Sequence, residues 1–176
     1  GKNLVSFLDI GGGMGYALKE AKELDNRIIT YNMTLDVEPV TFDSDKLYLC
    51  CAERFPRELR ENVDLIISNM AFVYMAGQSL ALENCLQSLS VGGEAFLSVG
   101  WGKQDSFIPG FAERMRNQYQ RMQKLNNEEV IELEVHSNLD GSHPLTYVTK
   151  KPNGTDNDFY FPGAFVHIRK IKTLKD

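Results

Sequence analysis

The sequence predicts a three-layer α/β sandwich on a mainly parallel sheet, with antiparallel strands towards its C-terminal end. Three observations predict it. An apolar run, Leu4, Val5, Phe7 and Leu8, breaks into glycines at 11, 12, 13 and 15 and then into helix formers. Residues 63–68 are almost continuously apolar, as a strand covered on both faces should be. Strand and helix patterns alternate up to residue 99, which is how a parallel sheet with crossover helices is written.

Each element can be justified in turn. Residues 16–24 form the first helix, with Ala17, Leu18, Ala21 and Leu24 on one face. The β-branched run 27–31 is a second strand, followed by an irregular stretch holding Pro39, and 46–50 is a third. Residues 55–60 give a short helix or turn before the strand at 63–68. Leu82, Leu86 and Leu89 set a helix over 79–89 that stops at Gly92-Gly93, and 95–99 is a fifth strand. Phe107, Ile108, Phe111, Met115, Met122 and Leu125 make a long amphipathic helix whose apolar stripe packs on the sheet. Residues 130–135 and 145–149 are strands flanking the turn Asp140-Gly141, and 163–171 is a last strand after the polar loop 152–158, where Asn153-Gly154 is a second turn signal.

The chain has 176 residues, enough for one domain, 1–176, and ordinary globular composition at 43% hydrophobic and 24% charged residues. It begins at Gly1 and enters its first strand almost at once, as an excised fragment lacking an N-terminal extension would. Net charge is −5, so duplex DNA is not an expected partner, although Arg54, Arg57 and Arg60, and Arg169, Lys170, Lys172 and Lys175, make local basic patches. A small-molecule or protein substrate fits this balance better. Cys50, Cys51 and Cys85 have neither metal spacing nor an even disulfide framework, so no metal is expected and a reducing, cytoplasmic setting is the simplest. No segment reaches the ~20 apolar residues of a membrane span.

The glycine turn carries the chemistry. A dinucleotide site needs G-x-G-x-x-G, and counting from Gly11 and Gly13 the third glycine falls on Tyr16. The pattern present is D-x-G-x-G-x-G, from Asp9 through Gly15. It resembles motif I of the class I S-adenosylmethionine-dependent methyltransferases, a Rossmann-like family. The resemblance implies S-adenosylmethionine as cofactor, with Asp9 holding its amino acid part and Gly11, Gly12, Gly13 and Gly15 lying under its ribose and methionine.

The family's later stations agree in part. Its acid at the end of the second strand, which holds the ribose hydroxyls, falls at Asn32, a neutral acceptor; Asp36 is the next carboxylate downstream. The acid that reads adenine after the third strand is replaced by Cys51, in Cys51-Ala52-Glu53, which leaves the Ala52 N–H and apolar sandwiching for that task. Asp64 is structural, whereas Ser68 and Asn69 face the reaction centre. The N-P-P-Y form tied to nucleobase or glutamine amide methylation is absent, since Ala71 and Phe72 stand where prolines would be. Residues 90–97 are similar to the family's L-x-x-G-G turn before strand 5.

Methyl transfer needs in-line positioning and exclusion of water more than acid–base groups. Phe72, Tyr74 and Trp101 are candidates for a substrate pocket, beside Tyr16 after the cofactor turn, although core packing is the commoner fate of such aromatics. His136, His143 and Tyr74 are the available bases, and no catalytic residue is assigned among them. Two other readings stay open: a degenerate methyltransferase-fold interaction module, which Asn32 and Cys51 together would explain, and a nucleotide or dinucleotide binder. The charge reading has a direct check. At physiological salt, low-micromolar protein should not shift duplex DNA in a gel, and a shift at stated salt would contradict the expectation.

Overall fold

The computed structural model describes residues 4–35, 44–69, 71–72, 75–99, 109–137, 149–150, 159–160 and 164–174. Strand β1 (Val5–Ile10) sits mid-sheet, and all but its first residue are buried. It is followed by α1 (Tyr16–Leu24), β2 (Ile28–Thr34), β3 (Lys46–Leu49), two short 3-10 turns (Ala52–Arg54 and Arg57–Leu59), β4 (Val63–Ser68), α2 (Gln78–Ser88) and β5 (Leu89–Val99). Then come α3 (Phe111–Asn127), β6 (Ile131–Ser137), the two-residue strands β7 (Thr149–Lys150) and β8 (Phe159–Tyr160), and β9 (Ala164–Lys170).

Seven strands form one sheet in the order β3-β2-β1-β4-β5-β9-β6, and β7 pairs with β8 apart from it. β3, β2, β1, β4 and β5 are mutually parallel, while β9 runs antiparallel to both β5 and β6. This is the expected α/β class, with the antiparallel strands at the C-terminal end. Order reverses beside β1, so the carboxyl ends of β1, β2 and β4 open a crevice there.

The larger core cluster lies on one sheet face. Leu8, Ile10, Met33, Ile66, Ala95, Leu97, Val166 and Ile168 alternate inward, and Leu82, Cys85 and Leu86 of α2 with Met115, Tyr119, Met122 and Leu125 of α3 close over them. Burial pushes the Cys85 thiol up from its ordinary value. Glu83 of α2 clamps the two helices: it accepts from Arg121 Nε at 2.8 Å and Nη2 at 2.9 Å, and from Gln118 Nε2 at 3.2 Å. Asp64 ties three neighbouring strands, since its carboxylate accepts from the Ser6 N–H at 3.0 Å and the Ser90 hydroxyl at 2.6 Å. That is the structural role expected of it.

Several expectations need correction. Leu24 is 87% exposed: the stripe that buries α1 centres on Leu18, and six residues at 100° each put Leu24 about 120° away from it. Gly92-Gly93 does not end α2. The helix stops at Ser88, and β5 runs through both glycines, which make an irregularity in the pairing between Val63 and Leu65. Lys170 belongs to no surface patch. It is fully buried, donating to the Leu89 carbonyl at 2.8 Å and to Glu61 Oε1 at 3.3 Å. The long helix buries Tyr119, missing from the expected stripe, while Phe107 and Ile108 lie outside the described residues, as does most of the strand expected at 145–149.

Gly93 generates a prediction. A Cβ there would meet the carbonyl oxygens of Val63 at 2.9 Å, Ser90 at 3.0 Å and Asp64 at 3.1 Å, none of which can yield without moving a strand. Gly93→Ala should cost about 1–3 kcal/mol in urea unfolding. An unchanged midpoint would mean that β5 shifts to absorb the methyl.

Candidate functional site

The strand ends converge on a cleft of about 470 Å³. Ile10 and Gly11 enter it from β1, Met33, Thr34 and Leu35 from β2, and Cys50 to Glu53 from the segment after β3. Asn69 and Ala71 follow β4, and Met75 and Ala76 precede α2. The lining is mostly apolar, with few polar groups, as pockets for flat organic ligands are. Burial pushes the Cys50 thiol above its ordinary value, with Cys51 beside it adding to the rise.

Behind this cleft the glycine turn presses onto two polar side chains. Gly11 N–H continues the ladder by donating to Met33 O at 2.7 Å. A Cβ at Gly12 would lie 2.6 Å from Asp9 Oδ2 and 3.0 Å from Asn32 Oδ1, so only glycine lets the backbone come this close. Asp9 and Asn32 are paired in the β1–β2 register, both are buried, and both point under the turn. Asn32 Nδ2 makes a long bond of 3.4 Å to Gly13 O, and its Oδ1 is sealed from water with no donor. Burial raises the Asp9 carboxyl to about 6. Two acceptors are thus held together under the turn, and one of them, Asn32 Oδ1, has no donor.

Of the residues singled out in the sequence, Gly11, Cys51, Ala52 and Asn69 line the cleft, while Asp9, Gly12 and Asn32 form the buried cluster behind it. Gly13 has open space around its Cβ position, and Gly15 caps α1 with φ of 80°. Ser68 is buried and donates from Oγ to Ile10 O at 3.0 Å, which pins β4 to β1. Phe72 is fully buried in the core. Tyr16 is 59% exposed, and Tyr74, Trp101, Asp36 and His143 lie outside the described residues. The cleft also uses Thr34, Leu35, Cys50 and Glu53. β2 runs three residues beyond the end expected for it, and that extension carries Thr34 into the site.

The architecture has counterparts among solved structures. It superposes on the plantazolicin methyltransferase BpumL in complex with SAH with a TM-score of 0.60 at 12% identity, over 94% of this chain and 76% of that one. The chain has the class I methyltransferase fold. Haemonchus contortus phosphoethanolamine N-methyltransferase 2, in complex with phosphomonomethylethanolamine and S-adenosylhomocysteine, matches with a TM-score of 0.57 at 14% identity, over 97% of this chain and 50% of that one. A provisionally assigned methyltransferase of Bacillus halodurans C-125 gives 0.56 at 14% identity, covering 98% and 94%. No family model matches the sequence, and no curated protein matches it either. At such identities the likeness is one of fold.

Asp9 yields a second prediction. Its raised value means that folding disfavours the charged form: below pH 3.8 the carboxyl is protonated folded or unfolded and adds no cost. The cost builds between pH 3.8 and about 6 and is constant above. Asp9→Asn should therefore stabilise the unliganded protein by about 3 kcal/mol at pH 7.5, and by almost nothing near pH 3.5. Denaturant midpoints of both proteins across this range test it; equal midpoints at pH 7.5 would show the carboxylate to be well solvated.

Proposed function

We propose that this chain, a single domain over 1–176, is an S-adenosylmethionine-dependent methyltransferase acting on a small-molecule or protein substrate. The observation that carries the reading is a pair of buried acceptors, Asp9 and Asn32, the second with no donor to its Oδ1, held under a glycine turn behind a largely apolar cleft. Such a site suits a ligand with a cationic, donor-rich end and a flat apolar one. When bound, the cofactor supplies an electrophilic methyl on a sulfonium.

The residues present divide the remaining work. Asp9 would face the ammonium group of the cofactor's amino acid part, and Asn32 the neighbouring hydroxyl donors. Gly11 to Gly15 would pass beneath the ligand without side chains to hold it off. Ile10, Met33, Ala52 and Met75 would exclude water from the nucleoside, and Asn69, which lines the same cleft, would face the substrate. A neutral residue at position 32 follows from Asp9: a second carboxylate at the same point under the turn would face like charge in a desolvated place.

A module of the same fold without catalysis is the second reading. The neutral Asn32 and the thiol at Cys51 favour it. Calorimetric titration with S-adenosylhomocysteine separates the two, since an enzyme binds it and a module that has lost the cofactor does not. Gly13→Val should weaken that binding at least tenfold with the circular dichroism spectrum retained, because a side chain there enters space that nothing else fills. The cationic end of the ligand should also lower the Asp9 value on binding. Affinity should then fall as pH drops through 6 and level off above 7, and a flat profile would remove Asp9 from the contact.

A further inference from the structure

Two adjacent thiols follow β3. Along a strand, successive side chains point to opposite faces, so neighbours do not share one ligand wall. Here the strand stops at Leu49, the chain bends at Cys50, and Cys51 enters the 3-10 turn with φ of −80° and ψ of 153°. Past that bend the alternation no longer holds, and Cys50 and Cys51 both line the cleft. Both are free thiols and only half-buried, whereas Cys85 is sealed in the core. Side by side in the wall of an apolar cavity, they form a chelating pair.

Chemistry narrows what such a pair holds. A disulfide within it is strained, because consecutive Cα atoms are about 3.8 Å apart while disulfides span roughly 4.4–6.8 Å. A closed zinc site takes about four ligands, and among the described residues no group of three or more His, Cys, Asp or Glu side chains is placed to hold a metal ion. Alkylation and peroxide chemistry act on thiolate, and burial with Cys51 alongside holds the Cys50 thiol above its ordinary value. What remains is a centre that takes two protonated thiols and carries a third substituent of its own. We propose that Cys50 and Cys51 together bind a trivalent organic arsenical, which then fills the cleft. For R–As=O the step is a condensation: two S–H bonds break, two As–S bonds form, and the oxygen leaves as water with both protons. Arsenic stays trivalent, and nothing is oxidised. The organic group gains the apolar space lined by Ile10, Met33 and Met75. The thiol site stands on the cleft alone; that its occupant excludes the cofactor rests on the reading above.

The reduced chain is titrated with phenylarsine oxide at neutral pH and read by intact mass. One arsenical should add with loss of one water, resist millimolar glutathione and yield to 2,3-dimercaptopropanol. After unfolding, alkylation of the adduct should label Cys85 alone of the three cysteines. In Cys50→Ser and Cys51→Ser only one As–S bond is left, and apparent affinity should fall by roughly 100-fold, the loss expected when a tethered second contact is removed. Label on Cys50 or Cys51 of the wild-type adduct, or affinity retained in either variant, overturns the pairing. S-adenosylhomocysteine at about ten times its dissociation constant should slow the addition roughly tenfold. If it binds by calorimetry yet gives no protection, the arsenical does not fill the cleft and the proposal fails. If it does not bind at all, the cofactor reading fails, while the adduct mass and the two serine variants still decide the thiol site.

Discussion

The site depends on how closely the backbone at Gly12 approaches the side chains of Asp9 and Asn32. That approach fixes three things together: the end of β1 against the end of β2, the start of α1, and the burial of two acceptors, Asp9 and Asn32. A methyl group at position 12 would lie 2.6 Å from Asp9 Oδ2 and 2.7 Å from its Cγ, so the carboxylate would have to move. Separating the turn from the strands would wet Asp9 and dissolve the charge-poor environment that raises it to about 6. The same contact therefore stores an electrostatic cost in the folded protein.

The rest of the fold holds this contact in place. Ser68 joins β4 to the last carbonyl of β1, and Asp64 gathers Ser6 and Ser90 at the opposite end of the same strands. Asp45 does similar work at the entry to β3: it accepts from the Thr30 N–H at 2.8 Å and pairs with Lys22 of α1. These links are short polar side chains at strand ends, where the ladder alone gives little resistance to sliding. Apolar packing under α2 and α3 supplies the bulk of the burial, and the polar links determine where the strand ends stop.

Much of this was legible in the sequence, for identifiable reasons. The strand over 63–68 is legible residue for residue, because a nearly continuous apolar run between polar segments is an unambiguous pattern. The glycine turn and the order of elements were likewise readable. Element ends were harder: Gly92-Gly93 reads as a helix stop, and only the approach of three carbonyls reveals a bulge inside β5. Lys170 reads as a surface lysine, since no sequence pattern shows that Leu89 O and Glu61 wait for it. At the site, Asp9 and the glycines announce themselves by spacing. Glu53 does not, because no sequence pattern shows that it lines the cleft with one oxygen taken by the Gly77 N–H.

The sheet order carries one more consequence. β9 lies between β5 and β6, antiparallel to both, so the last strand of the main sheet to be synthesised is an interior one. Until it arrives, β6 has no neighbour in the sheet among the described residues. The nascent chain must keep a gap open on the sheet through the making of more than sixty residues after β5. Long-range pairing of this kind is slow, and the unfilled edge of β5 is exposed to other chains meanwhile. The assembly of this sheet thus waits on β9, far along the chain from the glycine turn after β1.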